Sequence, residues 1–209
     1  MNAAIRWRII VLQVVALFAL ILGTLGAYAA YSFTNAQIHD QLAPQQIFFP
    51  KDAASGLPDN LKAYAGQQVL TGEQAHAYAE KYIGLHLSET GQGHPYSYWS
   101  GKAIADRAAA AAATDPTIKA QLTAQAAKEQ GTADTMFKGE TLKGLLNEAY
   151  AFSVFGQIAF YATIGLGLAA LVVLGALVFE IIDAVRGRNT VAMAQLTPIE
   201  PSREPIAIN

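Results

Sequence analysis

The sequence predicts an all-α membrane protein in which two transmembrane helices bracket a compact helical extracytoplasmic domain. Uncharged apolar runs cover Ile9–Tyr31 and the segment from Ala149 to Phe179, and a long, more polar segment separates them. About 20 apolar residues, each rising about 1.5 Å, cross a hydrocarbon core about 30 Å thick, so both runs are long enough. The predicted order is a cytoplasmic N-terminus (1–8), transmembrane helix 1 (9–31), an extracytoplasmic helical domain (32–151), transmembrane helix 2 (152–182) and a cytoplasmic disordered tail (183–209).

The charges beside the two runs predict the orientation. Arg6 and Arg8 precede the first run, and Arg186 and Arg188 follow the second. Cations near the ends of spans favour the cytoplasmic side, whereas a long translocated domain carries charges of either sign. We therefore expect a multi-pass protein of the cell membrane with both termini in the cytoplasm.

A cleaved signal peptide is the alternative for the first run. Arg6 and Arg8 resemble a basic n-region, and Ala27-Tyr28-Ala29 offers small residues of the type found at cleavage sites. The apolar core of a signal peptide has only about 7 to about 15 residues. The first run is clearly longer than that, which favours an uncleaved anchor.

Composition narrows the class of protein. The chain is 53% hydrophobic and only 14% charged, as expected if much of its apolar surface faces lipid. It has no cysteine, so an external domain must be held by packing, by its anchors or by neighbours. The net charge is −2, which offers no basic surface for nucleic acid.

The first half of the middle segment predicts a linker and then a helix. Ser32–Gln46 is polar, 47–50 is a short apolar extended piece and 55–59 is rich in turn residues, so this segment is interpreted as a linker with one hydrophobic anchor. The pattern Thr71-Gly72-Glu73-Gln74 matches a capping box, and a helix is predicted from there to about Leu87. Its apolar face repeats at spacings of three and four, with Ala75, Tyr78, Ala79, Tyr82, Ile83 and His86.

The second half predicts further helices. Gly91–Pro95 breaks the chain, and the alanine-rich stretch that follows has high helix propensity. Asp115-Pro116 has the form of an N-cap followed by proline at the first helical position. Gly131 and Gly139 are expected to punctuate this helix, with a new helix opening near Glu140 and continuing into the second span.

Small residues inside the spans predict faces for close helix contact, because they let helix backbones approach each other. Such a face serves equally well for packing the two spans on each other and for contact with another subunit. Gln13 is the one strongly polar side chain of the first span, and it needs a hydrogen-bond partner. The predicted contact residues are Gln13, Gly23, Gly26, Ala27, Ala30, Ala159, Thr163, Gly165, Gly167 and Ala169.

Charges at the inner ends of the spans predict an ion pair. Glu180 and Asp183 lie where Arg6 and Arg8 are expected to emerge from an antiparallel pair of helices. Such a pair would hold the hairpin at its cytoplasmic end, although independent solvated charges contribute little.

One combination of segments is distinctive: Phe49-Pro50, 64–69, 77–79, Ile83, His86-Leu87 and 139–150. Together they resemble a family of small, largely uncharacterised actinobacterial two-pass membrane proteins, some of which are automatically labelled aromatic ring-opening dioxygenases. The resemblance covers both apolar runs and the segment between them. It implies the two-pass topology and an actinobacterial origin, and it transfers no catalytic residue.

Ring-opening dioxygenases of the extradiol type hold iron with two histidines and one carboxylate, which makes His76, Glu80 and His86 weak candidate metal ligands. His76 and Glu80 lie one turn apart on the predicted helix. The simpler interpretation is that these are ordinary surface or partly buried side chains. No nucleophile elbow, phosphate-binding loop or nucleotide-binding glycine pattern is present in the sequence.

The sequence therefore favours a non-enzymatic protein that needs no cofactor. We expect an interaction or scaffold protein, acting as an accessory subunit of an envelope membrane complex or as a homo-oligomer. Its expected partners are the lipid bilayer and other membrane protein subunits or copies of itself. A metal-dependent, dioxygenase-like enzyme is the alternative.

Overall fold

The computed structural model describes the backbone of residues 3–196 and the side chains of residues 4–186. The described part is mostly helical, and its only β-type pairing is a single bridge between Phe48 and Gln68. The all-α prediction is confirmed to this extent. The main elements are α1 (Ala3–Leu42), α2 (Gly72–Ala77), a π-helical segment (Tyr78–Ile83), α3 (Gly84–Thr90), α4 (Tyr96–Ala112) and α5 (Pro116–Leu196).

Two helices of the described part are long and apolar enough to cross a membrane. They are the stretches Ala4–Gln45 and Pro116–Arg186, whose most apolar windows have mean hydropathies of 2.6 and 2.5. Only 0% and 6% of the residues in these windows are buried within the protein. The core helices of soluble proteins are buried, so these two helices are unlike them.

The chain divides into two units, and α1 and α5 each contribute to both. The first unit contains residues 1–28 and 160–209. Within it α1 and α5 run antiparallel, with Arg6 paired with Asp183 and Gly23 packed beside Leu166. Helix α5 continues past residue 183, where the disordered tail was predicted to begin, and ends at Leu196. The rest of that predicted tail, 197–209, lies outside the described residues.

The second unit, residues 29–159, contains the hydrophobic core. Phe49, Leu61 and Val69 are its largest fully buried side chains. They come from the irregular segment between α1 and α2, where Phe49 N donates to Gln67 O and Val69 N donates to Ile47 O. Leu57 of the same segment also belongs to the core. Helices supply the remainder: Ile38, Leu42, Ala75, Ala77, Ala79, Ile83, Leu87, Met136 and Leu146.

Two predicted helix starts are confirmed. Thr71 Oγ1 accepts from Gln74 N and Gln74 Oε1 accepts from Thr71 N, each at 3.2 Å, which is the reciprocal capping box. Asp115 Oδ1 accepts from the backbone N–H groups of Thr117 and Ile118 at 2.7 and 3.1 Å, directly before the first turn of α5.

The π-helical segment at Tyr78–Ile83 was not predicted, and it changes which residues face the core. Besides Ala77, the buried positions include Ala75, Ala79, Ile83 and Leu87, which follow one another at a constant spacing of four. Four residues of an ideal α-helix overshoot one turn by about 40°, and the wider π turn compensates part of that drift. Leu87 therefore takes the next core position, and His86, which was predicted to share the apolar face, is exposed.

Two predicted boundaries are wrong. The first part of the predicted linker, Ser32–Gln46, is helical as far as Leu42, because Ile38 and Leu42 face the core and extend α1 beyond its apolar run. Gly131 and Gly139 do not interrupt α5, which is continuous from Pro116. At Gly139 an added Cβ would overlap the Leu87 side chain, so the glycine is explained by close packing rather than by a helix end.

Candidate functional site

In the first unit, α1 and α5 pack against each other along a contact that we call the seam, which includes Arg6 and Gly23 of α1 and Asp183 and Leu166 of α5. The pairing of the two helices has the same register at both ends of this seam. The separation in sequence from Arg6 to Gly23 equals the separation from Asp183 back to Leu166, so the two contacts match as in a regular antiparallel pair. Thr24 and Gly167 lie next to the second contact, with the Thr24 methyl group 3.9 Å from the position of a Cβ on Gly167. Both helices turn a continuous face to each other, as in coiled-coil packing.

The predicted small-residue faces divide into an inner and an outer set. An added Cβ on Gly23 would lie 3.3 Å from Leu166, whereas one on Gly26 or Gly165 would meet nothing within 4 Å. Some of the predicted small residues thus pack between α1 and α5 within the chain, and others do not. The partly buried members are Gly23, Ala27, Ala159, Thr163, Gly167 and Ala169, and the exposed members are Gly26, Ala30 and Gly165.

Gln13 lies on the seam side of α1. Its residue is partly buried, and its Oε1 atom is buried without a hydrogen-bond partner among the described residues. The register places it near the level of Leu177, which is itself buried. This buried oxygen therefore lacks, among the described residues, the hydrogen-bond partner that the sequence predicts for Gln13.

His76 and Glu80 are brought together by a residue of another helix. His76 Nδ1 lies 3.0 Å from Asn147 Oδ1, and Asn147 Nδ2 donates to Glu80 Oε1 at 2.6 Å. The other carboxylate oxygen of Glu80 accepts from Lys143 Nζ at 3.1 Å. The result is a polar chain that joins the helix containing His76 and Glu80 to α5.

Hydrogen bonds favour the ionised form of Glu80 in this polar chain, and a ring stack holds His76 in place. The hydrogen bond from Asn147 lowers the pKa of Glu80 below its ordinary value, against a smaller opposing effect of burial, and Lys143 lowers it further. The His76 ring stacks on Tyr150 with centroids 4.3 Å apart. Nδ1 of His76, the amide of Asn147 and both carboxylate oxygens of Glu80 have protein partners, and the arrangement is that of an interhelical clamp.

His86 belongs to a different cluster. Its Nδ1 lies 3.0 Å from the carbonyl oxygen of Tyr82, one turn earlier, and its ring packs against that of Tyr82. Tyr82 in turn contacts Tyr78, which packs edge-on against buried Phe49. Burial raises the pKa of Tyr78 to about 12, so its hydroxyl group stays protonated.

The three weak metal candidates thus do not share one site in this structure. Among the described residues, no group of three or more His, Cys, Asp or Glu side chains is arranged to hold a metal ion. In addition, the oxygen atoms of Glu80 bond to Asn147 and Lys143, and a lysine ammonium group is not a metal ligand.

Sequence reasoning did not assign roles to Lys143, Asn147 and Tyr150. They follow one another at spacings of four and three, so they lie on one face of α5. That spacing shows only that the three side chains are neighbours. Their partners come from a helix in a distant part of the chain, and sequence periodicity carries no information about that pairing.

Glu129 is a second polar position that the sequence did not single out. It is 2% exposed, it accepts from Lys102 Nζ at 2.9 Å and from Gln125 Nε2 at 3.0 Å, and its Oε2 atom has no partner among the described residues. Burial by itself raises the pKa of this carboxyl group, but the hydrogen bonds from Lys102 and Gln125 outweigh burial and lower it. The pair links α4 to α5.

An apolar groove of about 820 Å³ runs along the second unit. The C-terminal part of α1 forms one wall, α5 from Leu142 to Phe152 forms the other, and the turn at 43–47 contributes the remainder of the lining. The volume lies within the range of small-molecule binding sites. Its volume exceeds that of the pocket beside Arg107 and Lys119, about 280 Å³, and that of the pocket beside Trp7 and Arg8, about 420 Å³.

No protein-family model, curated protein or solved structure matches this chain.

Proposed function

We propose that this chain is an integral protein of the cell membrane that binds other membrane components and catalyses no reaction. It acts as an interaction or scaffold protein, either as an accessory subunit of an envelope complex or as a homo-oligomer. Its two spans run within α1 and α5, both termini lie in the cytoplasm and the second unit lies outside. Membership of the actinobacterial family that it resembles is part of the same proposal.

The lack of burial of the apolar windows supports the membrane location. A helix with 0% or 6% of its most apolar window buried would expose that window to water in a soluble protein. At about 25 cal/mol per Å² of apolar surface, such exposure would be very unfavourable, and lipid removes the penalty.

The observation that supports the interaction role is that some small residues of α1 and α5 do not contact the other helix. Gly23 and Gly167 pack within the seam, whereas Gly26 and Gly165 lie in open space on the outside of the first unit. An exposed glycine in a span lets a further helix approach closely, and packing of this type drives helix association in lipid.

The polar chain at His76 supports a binding role over the metal-dependent alternative. A metal ion at His76 and Glu80 would have to displace Asn147 and Lys143 from their bonds, and His86 would have to leave Tyr82. Stoichiometric iron or zinc in the purified protein, lost in His76→Ala and retained in His39→Ala, would favour the enzyme instead.

Single cysteine variants test the interaction, because the chain has no cysteine of its own. We expect Gly26→Cys or Gly165→Cys to form covalent dimers on oxidation in native membranes if the protein self-associates. The matched control is Gly23→Cys, whose side chain faces Leu166 inside the seam and should not cross-link. A larger particle in mild detergent without self-cross-links identifies an accessory subunit, and a particle of monomer mass without cross-links contradicts the proposal.

The same approach tests orientation. A cysteine at exposed Ser88 should react with a membrane-impermeant maleimide in intact cells, and one at Ser202 should react only after permeabilisation. Detection of Met1 in the mature protein would exclude a cleaved signal peptide. Labelling of both positions in intact cells would contradict the proposed topology.

A further inference from the structure

The groove of the second unit has a buried apolar floor and exposed apolar walls. Ile38, Leu42 and Leu146 line it and are 3%, 5% and 2% exposed. Phe33 and Leu145 also line it, yet they are 64% and 60% exposed. An apolar occupant of the groove would therefore cover large side chains that otherwise face solvent, at a gain of about 25 cal/mol per Å².

Polar groups stand along the same groove and are free to bind. Gln37 and Gln41 lie one turn apart on the α1 wall, and Gln45 follows them in the turn at 43–47. No hydrogen bond within the described part of the chain involves their side-chain amides, each of which can donate and accept. An elongated occupant would meet amide groups along its length.

The charge of the lining is negative. Asp40 and Glu148 contribute carboxylates, and among the described side chains none that lines the groove is a lysine or arginine. Carboxylates and amides together bind hydroxyl groups well, because they accept and donate hydrogen bonds. A phosphate or another anionic head group would meet repulsion without a compensating cation.

The groove begins where the predicted spans end. Phe33 lies just beyond the predicted first span, and Phe152 is the first residue of the predicted second span. In the membrane location proposed above, on which this step rests, the apolar lining lies at the level of the outer head groups. Membrane amphiphiles are the molecules present there at the highest concentration.

We propose that the groove binds a membrane amphiphile with a hydrocarbon chain and an uncharged, hydroxyl-rich head group, such as a sugar-headed lipid. The chain packs on Ile38, Leu42 and Leu146 between Phe33 and Leu145. The head group bonds to the glutamine amides and to the carboxylates of Asp40 and Glu148.

Photolabelling of the full chain in phosphatidylcholine nanodiscs tests this. The probe is an alkyl glucoside with a photoreactive diazirine in its chain, and labelled peptides are located by mass spectrometry. We expect labelling on residues 33–47 and 142–152, suppressed by excess dodecyl maltoside and much less by dodecyl phosphate. Leu145→Gln should weaken labelling about tenfold, since it removes an apolar contact, whereas Phe137→Gln, equally exposed on α5 but outside the groove, should leave it unchanged.

Charge reversal gives a second, independent result. In Glu148→Lys the dodecyl phosphate competitor should become the more effective one, because the groove then contains a cation. Labelling spread evenly over the lipid-facing helices, or equal competition by both amphiphiles in the unaltered protein, would overturn the proposal.

A photoreactive amino acid at Leu145 distinguishes a protein occupant. Cross-linking of that position to a polypeptide in native membranes would overturn the lipid assignment while leaving the interaction role intact. Failure of the proposed location and topology would show separately, as maleimide labelling at both Ser88→Cys and Ser202→Cys, or at neither, in intact cells.

Discussion

Arg6 and Asp183 lie in different helices, at opposite ends of the sequence, and form an ion pair of 2.6 Å between Nη2 and Oδ2. The sequence predicted a pairing of this kind, and the structure selects Asp183 rather than Glu180 as the partner of Arg6. The Asp183 side chain is 56% exposed, so the pair contributes little to the free energy of unfolding. Its significance is that it marks the register of the whole α1–α5 seam.

That register predicts a specific disulfide. Thr24→Cys combined with Gly167→Cys places two thiols beside each other across the seam, close enough for a disulfide to form. We expect a rapid intramolecular disulfide, seen as a mobility shift on a non-reducing gel. Thr24→Cys with Gly165→Cys is the control, because Gly165 lies in open space. Equal cross-linking of both pairs would contradict the register.

Substitution by alanine should change the free energy of unfolding in opposite directions at two glycines of α5. Gly139→Ala would force a methyl group against Leu87 and should lower the free energy of unfolding by about 1–3 kcal/mol. Gly131→Ala meets nothing within 4 Å and should raise it by about 0.5–1 kcal/mol, because alanine favours the helix. Thermal unfolding in detergent measures both, and stabilisation by Gly139→Ala would refute the close packing of α5 on α3.

The polar chain at Glu80 predicts a pH dependence. Because its folded-state pKa is lowered, Glu80 contributes stability that is complete above its ordinary pKa near 4.5 and is lost as the pH falls through the lowered value. Asn147→Ala removes the largest cause of the shift, so the acid loss should become smaller. Unfolding midpoints measured between pH 3 and 7 test this. Asn60→Ala is the control, because Asn60 does not belong to the polar chain of hydrogen bonds at Glu80. Identical acid profiles would show that Asn147 does not stabilise the carboxylate.

Glu129 predicts a different response to acid. Lys102→Met leaves a buried carboxylate without its cation, so the protein should be destabilised and the pKa of Glu129 should rise. A raised pKa means that the variant regains stability as the pH falls through that value. Lys102→Met with Glu129→Leu should recover much of the loss at neutral pH. A Lys102→Met variant as stable as the parent at pH 7 would indicate that Glu129 is solvated.

Local signals explain why helix starts were predictable and helix lengths were not. Thr71 and Asp115 bond to backbone groups two or three positions away, so the sequence alone contains all the interacting atoms. Gly131 and Gly139 look alike in the sequence as helix breakers. Their difference depends on Leu87, which lies on another helix.

The candidate sites show the same division. His76 and Glu80 were visible as neighbours on one helix, yet Asn147 and Lys143 determine what they do. The groove was not predicted, because its walls come from segments far apart in the chain. The π-helical segment also had no local signal, and it moved His86 out of the face assigned to it.

The sequence by itself determined the all-helical class, the two long apolar helices and the places where capped helices begin, because hydropathy and capping act over a few neighbouring residues. The tertiary structure decided the register of the α1–α5 seam, the close packing of Leu87 against Gly139 and the partners of Glu80 and Glu129. It also decided the existence of the groove. These features depend on packing and hydrogen bonds between residues far apart in the chain, and only the folded arrangement specifies which of them meet.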